Sequence, residues 1–348
     1  MVVPRAAMLR RASGALRGVR GGVRLGGSGR ALSGGPDVRC FALSRALLRV
    51  HGPEAEAFLQ GLLTNDVARL AEAGGASAAP RAQYAHALNV QGRSLYDVIL
   101  YRIQESLQEP PHMLLECDAT VLDSFQKHLK LYKIRRKVNI SPCLDLSVWA
   151  VIPKEPSKEQ PQKLEQHASK AVVITPDPRV GVMGWRLIIN KNVNPLDVVP
   201  GSQIGNVKDY HRHRYKQGIP EGTKDLPSGI ALPLESNLTY MNGVSFTKGC
   251  YIGQELTART HHMGVIRKRL VPVQFSASVP SESIPECAEI VTESGKSAGK
   301  YRAGDDKFGI ALLRLAHING PLHLKISGDT PVSLSASIPA WWPKPVNK

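Results

Sequence analysis

The residues best suited to chemistry lie in one short segment, 248–255, which reads KGCYIGQE. Cys250 stands between Gly249 and Gly253, two residues after Lys248 and just ahead of a helical pattern over 254–261. Glycine lets a backbone come close to a ligand, and a thiol near a helix N-terminus and a lysine is shifted toward thiolate. A thiolate can bind a metal or act as a nucleophile, so Cys250 is the first candidate for either role. The alternative is a buried cysteine whose glycine neighbours serve packing.

The histidines offer further metal ligands, but their spacing argues against a metal site built within this chain. His261 and His262 follow Cys250 by about three helical turns. Eleven residues of helix span about 16 Å, which is too far for one ion to be shared. His211 and His213 would point to different faces of a helix. We therefore discount both pairs as metal ligands and interpret His211 and His213 as solvated side chains.

Three other patterns are weaker evidence for a functional site. Residues 294–297 read SGKS, as at the end of a phosphate-binding loop, but the glycine required five positions before Gly295 is Ile290, which predicts a hairpin turn instead. Basic clusters at 133–137 and 267–269 could contact phosphates or an acidic ligand. Solvated basic faces are the alternative for both clusters.

Composition excludes several classes of protein. No run approaches the roughly 18 to 20 apolar residues that span a bilayer, so we expect no membrane segment. The five cysteines are odd in number, widely spaced and without a C-x-x-C pair, which argues against a disulfide framework and a self-contained zinc site. A reducing compartment fits this cysteine usage best.

The positive charge is concentrated at the N-terminus. Of the net charge of +16, seven units come from arginines before residue 36, where there is no acid and no lysine, which leaves +9 for the rest. Arg-rich, acid-free segments of this kind are typical of mitochondrial presequences, so we interpret residues 1–36 as a presequence that directs the protein to the matrix. The alternative is a Gly/Arg tail that contacts RNA, although no aromatic residue is interleaved with these arginines.

Periodicity predicts alternating strands and helices, followed by short strands alone. We expect a strand over 40–50, a helix over 54–63, a hairpin of 83–90 with 94–102, a strand over 112–117 and a helix over 120–131. Further strands follow over 146–152, 171–175 and 184–190, with a polar linker over 153–162 and a helix over 207–217 that ends at Gly218. Short strands about ten residues apart after residue 265 predict a small antiparallel barrel or sandwich. The fold class is α+β, divided into domains over 37–145, 146–268 and 269–348.

Several segments together resemble one known family. The segment 243–259, with the cysteine motif at its centre, resembles the signature of the YgfZ-type proteins, relatives of the glycine-cleavage T-protein, an aminomethyltransferase. Segments 48–66, 89–97 and 232–235 resemble that family's segments in the same order. The resemblance implies an aminomethyltransferase-like ring of domains around a tetrahydrofolate-type pocket, with the second domain inserted into the first and a C-terminal antiparallel β-barrel.

The resemblance also implies roles for particular residues. Cys250 matches the signature cysteine, which we expect to ligate a [2Fe–2S] cluster shared with a partner. Glu235 matches the acid that holds the pterin ring in the transferases, and Asp97 matches one of their two adjacent acids; the other is Tyr96 here. The remaining matches to the motif are Lys248, Gly249, Tyr251, Gly253, Gln254 and Glu255.

The function implied by the resemblance is iron–sulfur cluster assembly rather than independent catalysis. One thiolate cannot hold a cluster that needs about four ligands, so a partner must supply the rest. We expect A-type scaffold proteins as partners, with [4Fe–4S] apo-proteins such as lipoate synthase and aconitase as recipients. The alternative is a tetrahydrofolate-dependent aminomethyl transferase, which Tyr96 disfavours. RNA binding is a third interpretation that the position of the positive charge disfavours, so we expect neither a nucleic-acid nor a membrane partner.

Overall fold

The structure, a computed structural model, describes residues 38–72, 82–104, 111–154, 168–326 and 331–344. The predicted presequence and most of the predicted linker 153–162 lie outside these residues. The strands are β1 Val38–Ala42, β2 Arg45–His51, β3 Ala82–Leu88, β4 Ser94–Ile103, β5 His112–Asp118, β6 Asn139–Pro142, β7 Leu146–Pro153, β8 Val173–Pro176, β9 Trp185–Asn190, β10 Gln203–Ile204, β11 Lys268–Phe275, β12 Glu289–Thr292, β13 Ser297–Asp305, β14 Phe308–Arg314, β15 Leu322–Leu324 and β16 Val332–Ala336. The helices are α1 Ala55–Gln60, α2 Ala68–Glu72, α3 Leu122–Tyr132, α4 Pro195–Val198, α5 Val207–Gln217, α6 Gly222–Asp225 and α7 Gln254–Met263.

These strands form two five-stranded sheets and a closed barrel. The first sheet has the order β3-β4-β5-β2-β6 and the second the order β10-β1-β7-β9-β8. The barrel has the order β11-β14-β13-β12-β15-β16 and closes by antiparallel pairing of β16 with β11. The predicted α+β class with a C-terminal antiparallel barrel is therefore confirmed. No described helix has the combination of length and apolar character needed to cross a bilayer.

The strand predicted over 40–50 is wrong as a single element. The chain breaks at 43–44, so that β1 pairs with β7 in the second sheet while β2 pairs with β5 and β6 in the first. Both halves keep a two-residue alternation, so periodicity carries no sign of the break. The second sheet thus takes strands from both sides of the boundary that we place at residue 145, and our contiguous domain division stays a prediction.

The two sheets pack against each other through alternate residues of their strands. Leu47, Ile99 and Leu114 from the first sheet join Val148 and Ile188 from the second in one buried cluster. Burial of each such side chain contributes about 2 kcal/mol. The other face of the first sheet packs on α1 and α3 around a separate buried cluster. The packed sheets therefore form the base on which the loops described below lie.

Local signals place α5 correctly. The Asn206 Oδ1 accepts from the Lys208 N–H at 2.9 Å and caps the start of the helix. Gly218 ends it with a left-handed φ of 69°, which a side chain would disfavour.

The sequence predicts only some of the barrel strands, because β13 (SAGKYRAGD) lacks a clear apolar alternation and is not predicted. The predicted turn at 294–297 does connect β12 to β13.

One arginine of a basic cluster is buried and does not belong to a solvated face. Arg269, in the cluster 267–269, is buried and donates to the Leu234 carbonyl at 3.0 Å. Its guanidinium also lies 4.0 Å from the ring centre of Tyr240. Arg269 therefore ties the first barrel strand to the segment before it, and the expectation that it meets an anion or solvent is wrong.

A buried histidine in the first sheet predicts how stability depends on pH. His86 on β3 contacts the Ser94 hydroxyl at 2.7 Å and the Tyr84 hydroxyl at 3.0 Å, and burial lowers its pKa to about 4. An unfolded histidine has a pKa of about 6.5, so between pH 6.5 and 4 the unfolded state binds the extra proton. We expect the free energy of unfolding to fall by about 3 kcal/mol from this residue as the pH drops through that range.

Urea denaturation of His86→Gln and wild type at pH 7, 5.5 and 4.5 measures this effect. The His86→Gln protein should lose less stability than wild type over this range. The matched control is the exposed His51→Gln, which should follow wild type. Parallel curves for His86→Gln and wild type would contradict the assignment.

Candidate functional site

Cys250 lies on an exposed loop that leads into α7. Its thiol is free and exposed, whereas Cys40 and Cys117 are buried, and Cys143 and Cys287 are half-buried. The helix begins at Gln254, so the thiol lies in the preceding loop rather than in the first helical turn. The alternative of a buried structural cysteine is therefore wrong, and this thiol is open to a partner molecule.

Lys248 anchors the loop instead of facing the thiol with a free ammonium. Its Nζ donates to the carbonyls of Gln60, Leu63 and Asn65, each at 2.7 Å, at the C-terminal end of α1. An ammonium has three hydrogens, so all of them are used. Burial lowers the Lys248 pKa to about 8. We expected Lys248 to promote the thiolate form of Cys250. In the structure its ammonium instead holds the cysteine loop on the end of α1.

The other end of the loop is fixed by a close contact between two glycines. Gly253 has a left-handed φ of 77°, and a Cβ there would lie 2.2 Å from the Asn89 carbonyl oxygen. A Cβ on Gly92, in the turn between β3 and β4, would lie 2.8 Å from the Gly253 carbonyl oxygen. The Gln254 Oε1 accepts from the Tyr251 N–H at 3.1 Å and closes the loop against the helix. The structure therefore brings together two segments that the family resemblance singles out separately.

We expect Gly253→Ala to destabilise the protein by about 2–3 kcal/mol, because the positive φ and the clash with Asn89 add. The matched control is Gly249→Ala, since Gly249 is exposed and a Cβ there would have nothing within 4 Å. That control should stay within about 0.5 kcal/mol of wild type. Urea denaturation measures both variants, and equal stability of the two would show that the contact between the turn and α7 contributes little.

The remaining motif residues have different environments. Tyr251 is buried, and burial raises its pKa to about 12, so its hydroxyl stays protonated. Ile252 packs against the core of the first sheet, and its N–H donates to the Gly61 carbonyl at 3.1 Å. Gly249 and Glu255 are exposed. Tyr251 and Ile252 thus hold the loop, while Gly249 and Cys250 form its accessible tip.

The histidines of α7 stack with an aromatic ring. The ring centre of His261 lies 3.6 Å from that of Phe246 at an angle of 10°, and His262 packs edge-on to both. Across the described ranges, no group of three or more His, Cys, Asp and Glu side chains is placed to hold a metal ion. Cys250 therefore meets no ready set of further ligands within the described part of its own chain.

Glu235 lies in a different place, between two adjacent cavities. A cavity of about 270 Å³ lies between the 232–235 segment, α7 and the barrel strands β11 and β14. A second, of about 180 Å³, shares Leu232 and Glu235 with it and also has Arg93 and Arg302 in its wall. Burial raises the pKa of the half-buried Glu235 carboxyl. This acid and its apolar surroundings could hold a flat, hydrogen-bonding ring.

Asp97 lines neither of these two cavities. It is buried, pairs with Arg45 at 3.2 Å, and accepts from the Gly222 N–H at 3.1 Å. Tyr96, its neighbour, packs on Phe125 with ring centres 4.8 Å apart. Neither of the two cavities that Glu235 lines therefore has Asp97 in its wall.

A buried charge network, which sequence reasoning misses, lies between the two sheets. Arg186 on β9 contacts Glu221 at 2.6 Å, Asp177 at 3.2 Å and Glu116 at 3.7 Å. Arg179 contacts Asp177 at 2.8 Å and Glu221 at 2.9 Å. The signal was an isolated charge within an apolar stretch, Glu116 in the MLLEC of β5 and Arg186 in the WRLII of β9. Charges in such strands require buried partners.

Comparisons with known proteins decide the family. The mitochondrial iron-sulfur cluster assembly factor IBA57 of Homo sapiens is 55% identical over 306 residues, which cover 87% of this chain and 85% of the human protein. This chain belongs to the IBA57 family of mitochondrial iron–sulfur cluster assembly factors. The mouse IBA57 is 53% identical over 307 residues, with 87% of this chain and 85% of the mouse protein covered. The predicted role in cluster assembly and the mitochondrial location are confirmed at this level.

The barrel and the overall fold have their own relatives. The family model described as the CAF17 C-terminal beta-barrel domain matches residues 267–344. The crystal structure of glycine cleavage system aminomethyltransferase T from Bartonella henselae has a TM-score of 0.66, with 16% identity, and covers 88% of this chain and 86% of its own. At that identity the likeness concerns the fold alone, and the predicted aminomethyltransferase-like fold of this IBA57-family chain is confirmed.

Proposed function

We propose that this protein acts late in cluster assembly in the mitochondrial matrix, where Cys250 shares a [2Fe–2S] cluster with an A-type scaffold protein. The cluster is the cargo of this complex, and its conversion to [4Fe–4S] serves apo-proteins such as lipoate synthase and aconitase. The single observation that carries this proposal is the exposed Cys250 thiol at the tip of a loop anchored at both ends.

The anchoring explains how one thiol could serve as a reliable ligand. Lys248 holds the loop on α1, and the Gly253 contact holds it on the turn of the hairpin. A preorganised ligand loses little conformational entropy when a partner's cluster binds. Exposure leaves room for that partner, which the other four, more buried cysteines do not offer.

Other proteins must supply the remaining cluster ligands and the electrons for cluster conversion. A [2Fe–2S] cluster needs about four ligands, so Cys250 supplies one and the scaffold the remainder. Joining two [2Fe–2S]²⁺ clusters into one [4Fe–4S]²⁺ consumes two electrons, which we assign to a separate electron-transfer protein that delivers one electron at a time. The protein's own contribution is then to hold and orient a cluster.

Anaerobic reconstitution with iron and sulfide tests the proposal. The purified protein is treated alone and together with an A-type scaffold, and visible absorption and native mass are recorded. We expect a one-to-one complex that carries a [2Fe–2S] cluster and forms only when both proteins are present. A scaffold that binds its cluster identically with and without this protein would overturn the proposal.

A second candidate function, folate binding, is favoured by the position of Glu235. Its carboxylate makes no hydrogen bond to any described protein group, and faces cavities whose walls include Leu234, Leu256 and Ile266. A carboxylate can accept two hydrogen bonds from the amino-pyrimidine edge of a pterin, while apolar walls suit its ring faces. The residues therefore fit tetrahydrofolate as a ligand, and Arg267 and Lys268 could meet its carboxylates.

The same residues do not support aminomethyl transfer. Asp97 is committed to Arg45 and to the Gly222 N–H, and Tyr96 is packed on Phe125 where the transferases have a second acid. We therefore propose folate binding without transfer, and derive no catalytic step from it.

Glu235→Gln should weaken tetrahydrofolate binding by about 10- to 100-fold, because a charge-assisted hydrogen bond is replaced by a weaker neutral one. Anaerobic calorimetry measures the affinity. The control is Glu255→Gln, which removes an exposed acid on α7 and should bind as wild type does. Equal affinity of Glu235→Gln and wild type would exclude this cavity as the folate site.

A further inference from the structure

A third cavity, of about 340 Å³, lies where the first sheet, α5, α6 and the barrel meet. It contains neither Cys250 nor Glu235, and nothing proposed above uses it. We call it the α5–α6 cavity. Several charged side chains line it, so the question is which of them are free to meet a ligand.

Most of these charges already have partners. Asp118 accepts from the N–H groups of Thr120 and Thr223. The ion pairs that occupy the other charged wall residues are Arg45 with Asp97 and Glu116, Arg214 with Asp225, Arg212 with Asp305, and Glu221 with Arg179 and Arg186. These groups form the fixed wall of the cavity.

Two lysines remain. Lys208 on α5 and Lys224 on α6 are both exposed and line the cavity, and neither pairs with an acid among the described residues. Lys208 and His211 are three residues apart on α5, so their side chains lie on the same face of the helix. The cavity thus carries two uncommitted positive charges.

His211 adds a neutral donor whose orientation is fixed. The Arg214 Nε–H donates to its Nδ1 at 3.1 Å, and because an arginine can only donate, the ring proton must be on Nε2. Burial and Arg214 lower the His211 pKa to about 4, so the ring stays neutral near pH 7. Nε2–H has no hydrogen-bond acceptor in the part of the chain that the structure describes.

We propose that the α5–α6 cavity binds a compact dianion, a phosphate monoester or a dicarboxylate, between Lys208, Lys224 and the Nε2–H of His211. Two ammonium groups balance the charge of such a ligand, and the histidine supplies a directional donor. This inference is independent of the cluster and folate proposals, because none of its three residues takes part in them.

A bound dianion would connect parts that are separate in the chain. α5, α6 and strand β13 of the barrel all contribute to the wall. A ligand that binds only the folded protein stabilises it by mass action. We therefore expect a concentration-dependent rise in the melting temperature as well as direct binding.

Titration of the full-length protein with inorganic phosphate, and separately with succinate, tests the proposal. Calorimetry measures affinity, and the ¹⁵N spectrum of the histidine rings follows His211. We expect one site per chain, a shift of the His211 Nε2–H signal on binding, and about tenfold weaker binding for each of Lys208→Gln and Lys224→Gln. The phosphate and succinate arms show which of the two dianions is preferred, and binding of either supports the site.

The matched control is Lys191→Gln, which removes the same charge from an exposed turn outside the cavity. It should bind as wild type does. Equal weakening by Lys191→Gln would mean that only overall charge matters, and would overturn the proposal. So would the absence of saturable binding of both anions, or a His211 signal unmoved at saturation.

Discussion

Cys250→Ser is expected to give a protein that folds normally but forms no cluster-bearing complex with an A-type scaffold. Serine preserves the size of the side chain and removes the thiolate that iron prefers. Because the residue is exposed, stability should change by less than about 0.5 kcal/mol. The loss of the cluster band together with an unchanged denaturation curve would separate ligation from folding.

Cys143→Ser is the matched control, since Cys143 is half-buried and lies in the turn after β6. It should keep the cluster-bearing complex. In cells whose only copy is Cys250→Ser, we expect lipoate synthase and aconitase activities to fall, while they persist with Cys143→Ser. Normal activity of both enzymes with Cys250→Ser would contradict the proposed role of the thiol.

Arg186→Met should destabilise the protein by about 3–5 kcal/mol, because it leaves carboxylates buried without their cation. Arg186 is fully buried and contacts acids from both sides of the sheet interface, Glu116 on β5 and Glu221 after α5. The free energy of unfolding in urea measures the loss. The control is Lys325→Met, which breaks an exposed pair with Glu289 and should cost no more than about 1 kcal/mol.

The buried charge network also determines how the free energy of unfolding changes with pH. Burial alone would raise the pKa of Glu221, but Arg186 and Arg179 outweigh it and hold that pKa well below its ordinary value. The stabilisation is therefore complete above the unfolded pKa of about 4.3 and is lost as the pH falls toward the folded value. In Arg186→Met this acid-side loss should be smaller than in wild type. Equal stability of Arg186→Met and the surface control at pH 7 would show that the network is energetically neutral.

The candidate site was partly readable from the sequence. Cys250 could be selected because its glycine neighbours and its lysine lie within the six residues 248–253, directly before the helical pattern. The role of Lys248 could not, because its three acceptors lie more than 180 residues earlier in the chain. Periodicity and residue type report short-range preferences, and they carry no information on which distant carbonyls a lysine will meet.

The sequence by itself determined the local elements of this protein. The Asn206 cap and Gly218 bound α5, the turn at 89–93 specifies a hairpin, and the rhythm of short strands after residue 265 indicates a barrel. Each of these depends on capping, turn chemistry or two-residue alternation, which are fixed by neighbours in the chain.

Only the tertiary structure decided how distant segments combine. It divided residues 38–51 between two sheets and placed Gly253 against the Asn89 turn. It also buried Arg186 among acids of other elements and kept Asp97 out of the two cavities that Glu235 lines. The physical reason is that these contacts satisfy buried backbone and charged groups across long separations. Their free energy depends on the assembled packing, and no local pattern in the chain encodes it.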